Sequence, residues 1–448
     1  MLPAPAPSSS RTQPLDSASS MEASAQAPLI GVGLKKQFFL VTSLFFLWGI
    51  PNNLNDVLIG QFMKSFTISR FQAGLVQSAF YLGYFLLAMP AALLMRKAGY
   101  KVGMVTGLLL FGTGALLFWP AAVAREYSFF LVALFVMASG LSFLETASNP
   151  FITQLGTSGG AERRLNLAQA FNPLGSITGV LLGTVFIFSG IELTPQAIAI
   201  SKAKHLYQAY LASETLRVVT PYMALSIVAF TMAAVFLLTK FPPLAIENQQ
   251  SEEAPGRFGE LLRSKPFLFA VFTQFMYVGG QVGTWSYFIQ YVQTYAHQTQ
   301  KLAGIFLTGT LVAFAVGRFS SAWIMQRTSP AQLMLTYSLS NIVLVAVAIA
   351  FPGWVGLWAI FITSFFMSIM FPTIFALGLR GLGPNTKIGG SLLVMAIIGG
   401  AVLTPIMGLI SEYAHSIAAS YCVPLAAYVV IALFSLSTRR AERSSLVS

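Results

Sequence analysis

The sequence predicts an all-α polytopic membrane protein of twelve transmembrane helices arranged as two six-helix halves. Three observations predict it. Of 448 residues, 56% are hydrophobic and only 9% are charged, whereas soluble domains carry about a quarter charged residues. Apolar stretches of about 20 residues, each enough for a hydrocarbon layer of about 30 Å, recur from Lys36 onward. Lysine and arginine gather in alternate connections between those stretches, as the positive-inside rule requires.

Residues 1–36 are rich in Pro, Ser and Ala without periodicity and read as a disordered cytosolic tail. The start, MLPAPAPSSSRTQPLD, lacks the basic region and apolar core of a signal peptide, and Met21 is an alternative start. The predicted spans are 38–63, 71–95, 102–123, 127–155, 166–189, 219–239, 266–292, 302–325, 331–351, 354–379, 388–411 and 417–437. They divide into a first bundle (37–240), a cytosolic linker (241–265), a second bundle (266–438) and a cytosolic tail (439–448). Residues 190–218 form an outer loop with room for a surface helix. The linker, KFPPLAIENQQSEEAPGRFGELLRSK with its leading Lys240, is proline-bearing, polar and of mixed charge, as a flexible connection should be.

With a cytosolic N-terminus, the inner segments hold Arg96, Lys97, Lys101, Arg163, Arg164, Lys240, Arg257, Arg263, Lys265, Arg327, Arg380, Lys387 and the C-terminal arginines. The outer loops hold only Lys64, Arg70, Arg125, Lys202, Lys204, Arg217 and Lys301. Both termini therefore face the cytosol. The formal charge of +12 is a topology signal and not a nucleic-acid footprint. A lone cysteine, Cys422, excludes an internal disulfide framework and most cysteine metal sites.

The halves are weakly alike, as in repeat-built transporters. Span 4 ends in SNPFITQLG and span 10 holds FPTIFALGLRGLG. Span 5 carries Gly175, Gly179 and Gly183, and span 11 carries Gly389, Gly390, Gly399, Gly400 and Gly408. Small residues at four-residue spacing let helix backbones approach closely in lipid.

Span 1, FFLWGIPNNLNDVLIGQF, sets Asn52, Asn53, Asn55 and Asp56 behind an expected break at Gly49–Ile50–Pro51. Such a cluster is costly in hydrocarbon and should face protein or a water-filled cavity. Of the 14 acids, only Asp56 and Glu145 lie deep in apolar spans; the rest fall in tails, loops or, for Glu412, the outer end of span 11. Taking a carboxylate out of water favours its neutral form and brings proton uptake and release toward physiological pH. A satisfied buried acid bonded to its asparagine neighbours is the structural alternative. His205, His297 and His415 all fall in outer loops or at outer helix ends, away from any central proton path. Asn166, Gln169 and Asn172 recur every three residues and share a face of span 5. Amides both donate and accept, which suits sugar hydroxyls; interhelical packing bonds are the alternative. Trp48, Trp285 (beside Gln281) and Phe314 are candidate faces for the C–H side of a sugar ring. Arg318 in span 8 reads as snorkelling toward the cytosolic face, with a structural or gating role.

Residues 40–440 resemble the fucose–proton symporter family of the major facilitator superfamily. The resemblance rests on FFLWGIPNNLNDVL, FQAGLVQSAFYLGYF, LFWPAA, LETASNPF, RLNLAQAFN, TPYM, TKFP, WSYFIQY, LTGT, GRF and FPTIF, in that order. It implies the major facilitator fold, two six-helix bundles around a central sugar cavity that opens to each side in turn. It implies that Asp56 and Glu145 are the proton-coupling carboxylates, Glu145 also touching sugar. By the same resemblance Asn53, Gln169 and Asn172 are cavity amides, and Trp48, Trp285 and Phe314 cavity aromatics. Phe371 stands where the family looks to have a tyrosine, one hydroxyl fewer at the sugar site. Members that carry glucose or galactose tend to have a glutamine-type motif where this chain has Leu144–Glu145–Thr146, which tilts the expectation toward L-fucose.

The expectation is therefore a bacterial inner-membrane symporter that imports L-fucose, or a closely related monosaccharide, with a proton. It would work as a monomer in the bilayer, without cofactor or nucleic acid. The same fold with glucose, galactose or another small solute is the first alternative. A membrane enzyme acting on a lipid-linked substrate is the remote one, and the nucleophile or metal-ligand set it would place at the membrane surface is not found in the sequence. A non-transporting sensor would need a signalling domain, and none is read.

Overall fold

The structure, a computed structural model, describes residues 30–31, 33–156, 161–241, 258–325, 327–382 and 385–447. Most of the predicted N-terminal tail, including Met21, and most of the predicted linker lie outside the described residues. All twelve predicted spans are helical. In chain order they are α1 (Lys35–Phe66), α2 (Arg70–Ala98), α3 (Tyr100–Leu116), α4 (Tyr127–Thr153), α5 (Phe171–Leu182), α6 (Val219–Leu238), α7 (Lys265–Ser286), α8 (Gln300–Ile324), α9 (Pro330–Ala350), α10 (Trp354–Met367), α11 (Gly399–Tyr413) and α12 (Cys422–Val447). Short helices extend several of them: Phe118–Ala124 after α3, Phe288–Ala296 after α7 and Met370–Leu379 after α10. The outer-loop helix expected in 190–218 is present as Pro195–Ala203, and a second helix, Tyr207–Leu216, leads into α6.

Among the described residues ten stretches are long and apolar enough to cross a membrane on length and composition alone. α1 and α7 are not among them, and the reason is chemical. α1 buries Asn53, Asn55, Asp56 and Gln61, and α7 buries Thr273, Gln274, Thr284 and Ser286. Those polar side chains lower the hydropathy of both helices and are buried within the protein.

Local sequence fixes the helix ends. Ser69 Oγ accepts from the Gln72 amide while Gln72 Oε1 accepts from the Ser69 amide, a reciprocal cap at the start of α2. Thr299 and Ser329 cap α8 and α9 with their hydroxyls alone, accepting from the Leu302 and Gln332 amides, and Ser329 is followed by Pro330 in the first turn. Some basic residues that set the topology also cap helix C-termini. Lys101 Nζ donates to the carbonyls of Leu237 at 2.8 Å and Thr239 at 3.0 Å, and Arg164 donates to those of Ile152 and Thr153.

Two expectations about helix continuity are corrected. Pro51 does not break α1, which runs unbroken through it; the neighbouring α5 supports the backbone there, Ser176 Oγ donating to the Gly49 carbonyl at 3.2 Å. Span 5 is instead interrupted, a helix Ala161–Gln169 ending at Ala170 before α5 begins at Phe171 and closes in a π-helical turn, Gly183–Ile187.

The helices form two groups with the same packing. In the first, α1 packs on α5, α2 and α3 on α4, and α3 on α6; in the second, α7 packs on α11, α8 and α9 on α10, and α9 on α12. Each of these pairs of the second group is a pair of the first displaced by six helices; α7 also packs on α12, which the first group does not match. Two further pairs join the groups, α2 with α11 and α5 with α8, and these are also images of one another. Glycine makes the closest approach possible. A Cβ built on Gly175 would lie 2.1 Å from the Phe46 carbonyl oxygen, and one on Gly179 2.1 Å from that of Ile50. Gly179→Leu is therefore expected to force α5 off α1, an overpacking cost of at least about 1–3 kcal/mol. Thermal unfolding in detergent, followed by loss of the monodisperse peak, should show a lower midpoint than the parent.

The two groups meet at one end of the bundle, marked by the turns 67–69 and 297–299 and called here the sealed end. Hydrogen bonds that cross between them there include Tyr287 Oη to the Arg70 carbonyl at 2.9 Å, Ser78 Oγ to the Ala401 carbonyl at 2.6 Å and the Phe71 amide to Glu412 Oε1 at 2.7 Å. His297 and His415 end helices at this end in left-handed backbone, at φ of 53° and 49°.

Candidate functional site

Beneath the seal lies a cavity of about 270 Å³ between the two groups. It is lined from α1 (Asn52, Asn53, Asp56), α2 (Gln77, Tyr81, Tyr84), α4 (Glu145), α5 (Asn172, Ser176), α7 (Gln281, Trp285), α8 (Phe314, Arg318) and Phe371. Arg318 lies further from the sealed end along α8 than Phe314.

Asp56 lies at its closed end and is 1% exposed. Asn53 Nδ2 donates to its Oδ2 at 3.0 Å, while Gln77 Nε2 and Ser286 Oγ each donate to its Oδ1 at 2.8 Å. Gln77 also donates to Ser286 Oγ at 3.0 Å. Ser286 ends α7, so Asp56 is bonded across the boundary between the groups. Three donors aimed at one carboxyl suit its ionised form, which only accepts.

Glu145 is placed differently. It faces the same cavity and has no hydrogen bond or ion pair among the described residues. Tyr81 lies within electrostatic reach of both carboxylates and Tyr84 within reach of Glu145. A carboxylate without a protein partner in a wet cavity is free to accept from a ligand. Gln281 and Asn52 line the cavity without a side-chain hydrogen bond among the described residues, and Asn172 Nδ2 donates a long 3.5 Å bond to the Phe45 carbonyl.

The aromatic wall is fixed by its surroundings. Trp285 Nε1 donates to Ser364 Oγ at 3.1 Å, and its ring meets Phe314 edge-on at 5.3 Å. The Arg318 guanidinium lies 4.9 Å from the Phe314 ring centre, and Arg318 Nε donates to the Ser368 carbonyl at 3.3 Å. Arg318 thus lines the cavity.

The structure brings Asp56, Glu145, Asn53, Asn172, Trp285, Phe314 and Phe371 to one cavity. It does not bring Gln169 or Trp48 there. Gln169 is exposed and donates to Asn149 Oδ1 at 3.4 Å. Trp48 is 4% exposed and packs on Phe45 with ring centres 4.2 Å apart. Sequence reasoning missed Gln77, Tyr81 and Tyr84, which are spaced by four and three and so share a face of α2. It also missed Ser286.

Residues 38–392 match the family model described as Major Facilitator Superfamily. The chain belongs to that superfamily. It is a membrane transporter by family and not an enzyme. This facilitator is 44% identical over 403 residues to the L-fucose-proton symporter of Escherichia coli strain K12, covering 89% of this chain and 92% of that one. It is 34% identical over 409 residues to a putative glucose/galactose transporter of Helicobacter pylori strain 26695, covering 90% and 97%. Among solved structures it is similar to a superfamily transporter, FucP, in the outward conformation, with 43% identity, a TM-score of 0.66 and coverage of 90% and 98%.

Proposed function

We propose that this facilitator is a proton-coupled importer of L-fucose or a closely related monosaccharide in the bacterial cytoplasmic membrane. The observation that carries the reading is the pair of carboxylates in one cavity, one bonded across the two helix groups and the other unpaired. Amides at Asn52, Asn53, Asn172 and Gln281 and the free Glu145 carboxylate suit a ring of hydroxyls, and Trp285, Phe314 and Phe371 suit its C–H faces. Loss of a hydroxyl at Phe371 leaves an apolar wall, which fits a 6-deoxy sugar with a methyl group. The name of the E. coli relative at 44% identity supports fucose over the glucose/galactose transporters at 34%.

In this reading Glu145 holds sugar and Asp56 takes up and releases the proton. The two helix groups are the bodies that rock about the cavity, and the excess of basic residues at the other end supports a sealed end facing the periplasm. The conformation would then be inward-facing; a TM-score of only 0.66 to a 43% identical transporter in the outward conformation accords with that. A ligand can shift such an equilibrium only by binding one arrangement better than the other, and Asp56, bonded to both groups, is where protonation would be felt.

The cargo is tested by competition. Uptake of labelled L-fucose into proteoliposomes should fall in the presence of excess unlabelled L-fucose and fall much less with excess D-glucose or D-galactose. Equal or stronger competition by glucose or galactose would move the facilitator to that cargo.

A further inference from the structure

The two joints that close the sealed end are built on one sequence plan. Ahead of α2, Thr67 takes left-handed backbone at φ 53°, Ser69 caps the helix, and Ala73–Gly74 follow. Ahead of α8, His297 takes the same backbone at φ 53°, Thr299 caps the helix, and Ala303–Gly304 follow at the same distance from the cap. Both glycines are contact points with the opposite group. A Cβ built on Gly74 would lie 2.8 Å from Pro405 Cα in α11, and one on Gly304 would lie 2.3 Å from Thr184 Oγ1 in the turn that closes α5.

Each joint ends in a carboxylate from the opposite group. Glu412, in the last turn of α11, accepts from the Phe71 amide in the first turn of α2. Glu192, just past the end of α5, accepts from the Gln300 amide at the start of α8 and from Gln293 Nε2 at 3.3 Å. These amides belong to a helix's first turn, where N–H groups have no acceptor within the helix and carry partial positive charge. Neither carboxylate is in an ion pair among the described residues; Lys64, at the end of α1, is paired with Glu214 at 2.9 Å. Each acid is therefore committed to a backbone donor of the other group, and the two contacts are images of one another under the six-helix repeat.

We propose that Glu192 and Glu412 are paired latches of a gate, each holding the sealed end shut by capping a helix of the opposite group. Both bonds form when that end closes and both break when it opens. Because α2 and α8 each lose a cap on opening, the gate has two equal catches, and weakening either favours the open arrangement. The proposal rests on alternating access by the facilitator, but on neither the sugar nor the proton.

The test follows the gate directly and needs no substrate. In the full chain with Cys422→Ser, spin labels at Ile200→Cys and Tyr413→Cys, both exposed and on opposite groups at the sealed end, report the distance across it in lipid nanodiscs. The parent should show a short-distance population from the sealed arrangement. Glu192→Ala and Glu412→Ala should each lower the ratio of short to long distances by about two- to fivefold, as expected of one carboxylate at an exposed helix start. The double variant should lower it by about the product of the two. Glu192→Gln and Glu412→Gln, which keep an acceptor oxygen without its charge, should fall between, and they carry the test if the alanine variants fold poorly. Distance distributions unchanged in the folded variants would overturn the latch. A chain that fails to take up fucose but shows these shifts would keep the latch and lose the cargo.

Discussion

Asp56→Asn is expected to abolish accumulation driven by a proton gradient while leaving exchange of sugar across the membrane intact. Asparagine keeps the size of the side chain and one acceptor oxygen for Gln77 and Ser286, so the bonded cluster at the closed end of the cavity keeps much of its geometry. What it loses is the ability to bind a proton. One proton per sugar makes a gradient of one pH unit support about tenfold accumulation, since about 1.4 kcal/mol corresponds to a factor of ten. In the variant that ratio should fall to one. Counterflow, in which preloaded unlabelled sugar exchanges with labelled sugar outside, should persist. Accumulation equal to the parent's would remove Asp56 from the proton step.

Glu145→Gln is the second large effect. Glu145 has no protein hydrogen bond among the described residues, so its replacement breaks nothing in the fold and any change belongs to the cavity. Hydrogen bonds to a charged group are worth about 1.5–3 kcal/mol, which makes a tenfold or greater loss of sugar affinity the expected result. Trp285 lines the same cavity, and quenching of its fluorescence by added L-fucose gives the binding curve. A dissociation constant equal to the parent's would place the sugar away from Glu145.

The sequence makes α1 legible because an apolar run that contains three asparagines and an aspartate has few ways to be stable in lipid. Glu145 is legible for the same reason. Tyr81 and Tyr84 escape notice because tyrosine counts toward an apolar helix although its hydroxyl can face water, and Gln77 is readable only once the three are seen to share a face. Ser286 leaves no signal, since a serine at a helix end reads as packing and its bond to Asp56 depends on how the two groups dock. Gln169 is taken up by a neighbour that the sequence does not reveal, Asn149 on α4. Trp48 shows the limit of reading aromatics by position, because its neighbour Phe45 is as available to its ring as any cavity. Pro51 is the converse case, a proline that reads as a break in isolation and is carried inside α1 by contact with α5. Arg318 reads as a side chain seeking the membrane surface because the sequence does not reveal the wet cavity beside it.

Joint movement of proton and sugar through this cavity predicts that uptake of labelled L-fucose into proteoliposomes of the purified chain differs with and without an imposed inward proton gradient. Uptake above the outside concentration with the gradient, and only equilibration without it, is the predicted result. Equal final levels in the two conditions, from protein shown to be folded, would contradict proton coupling, and no uptake in either would contradict fucose as the cargo.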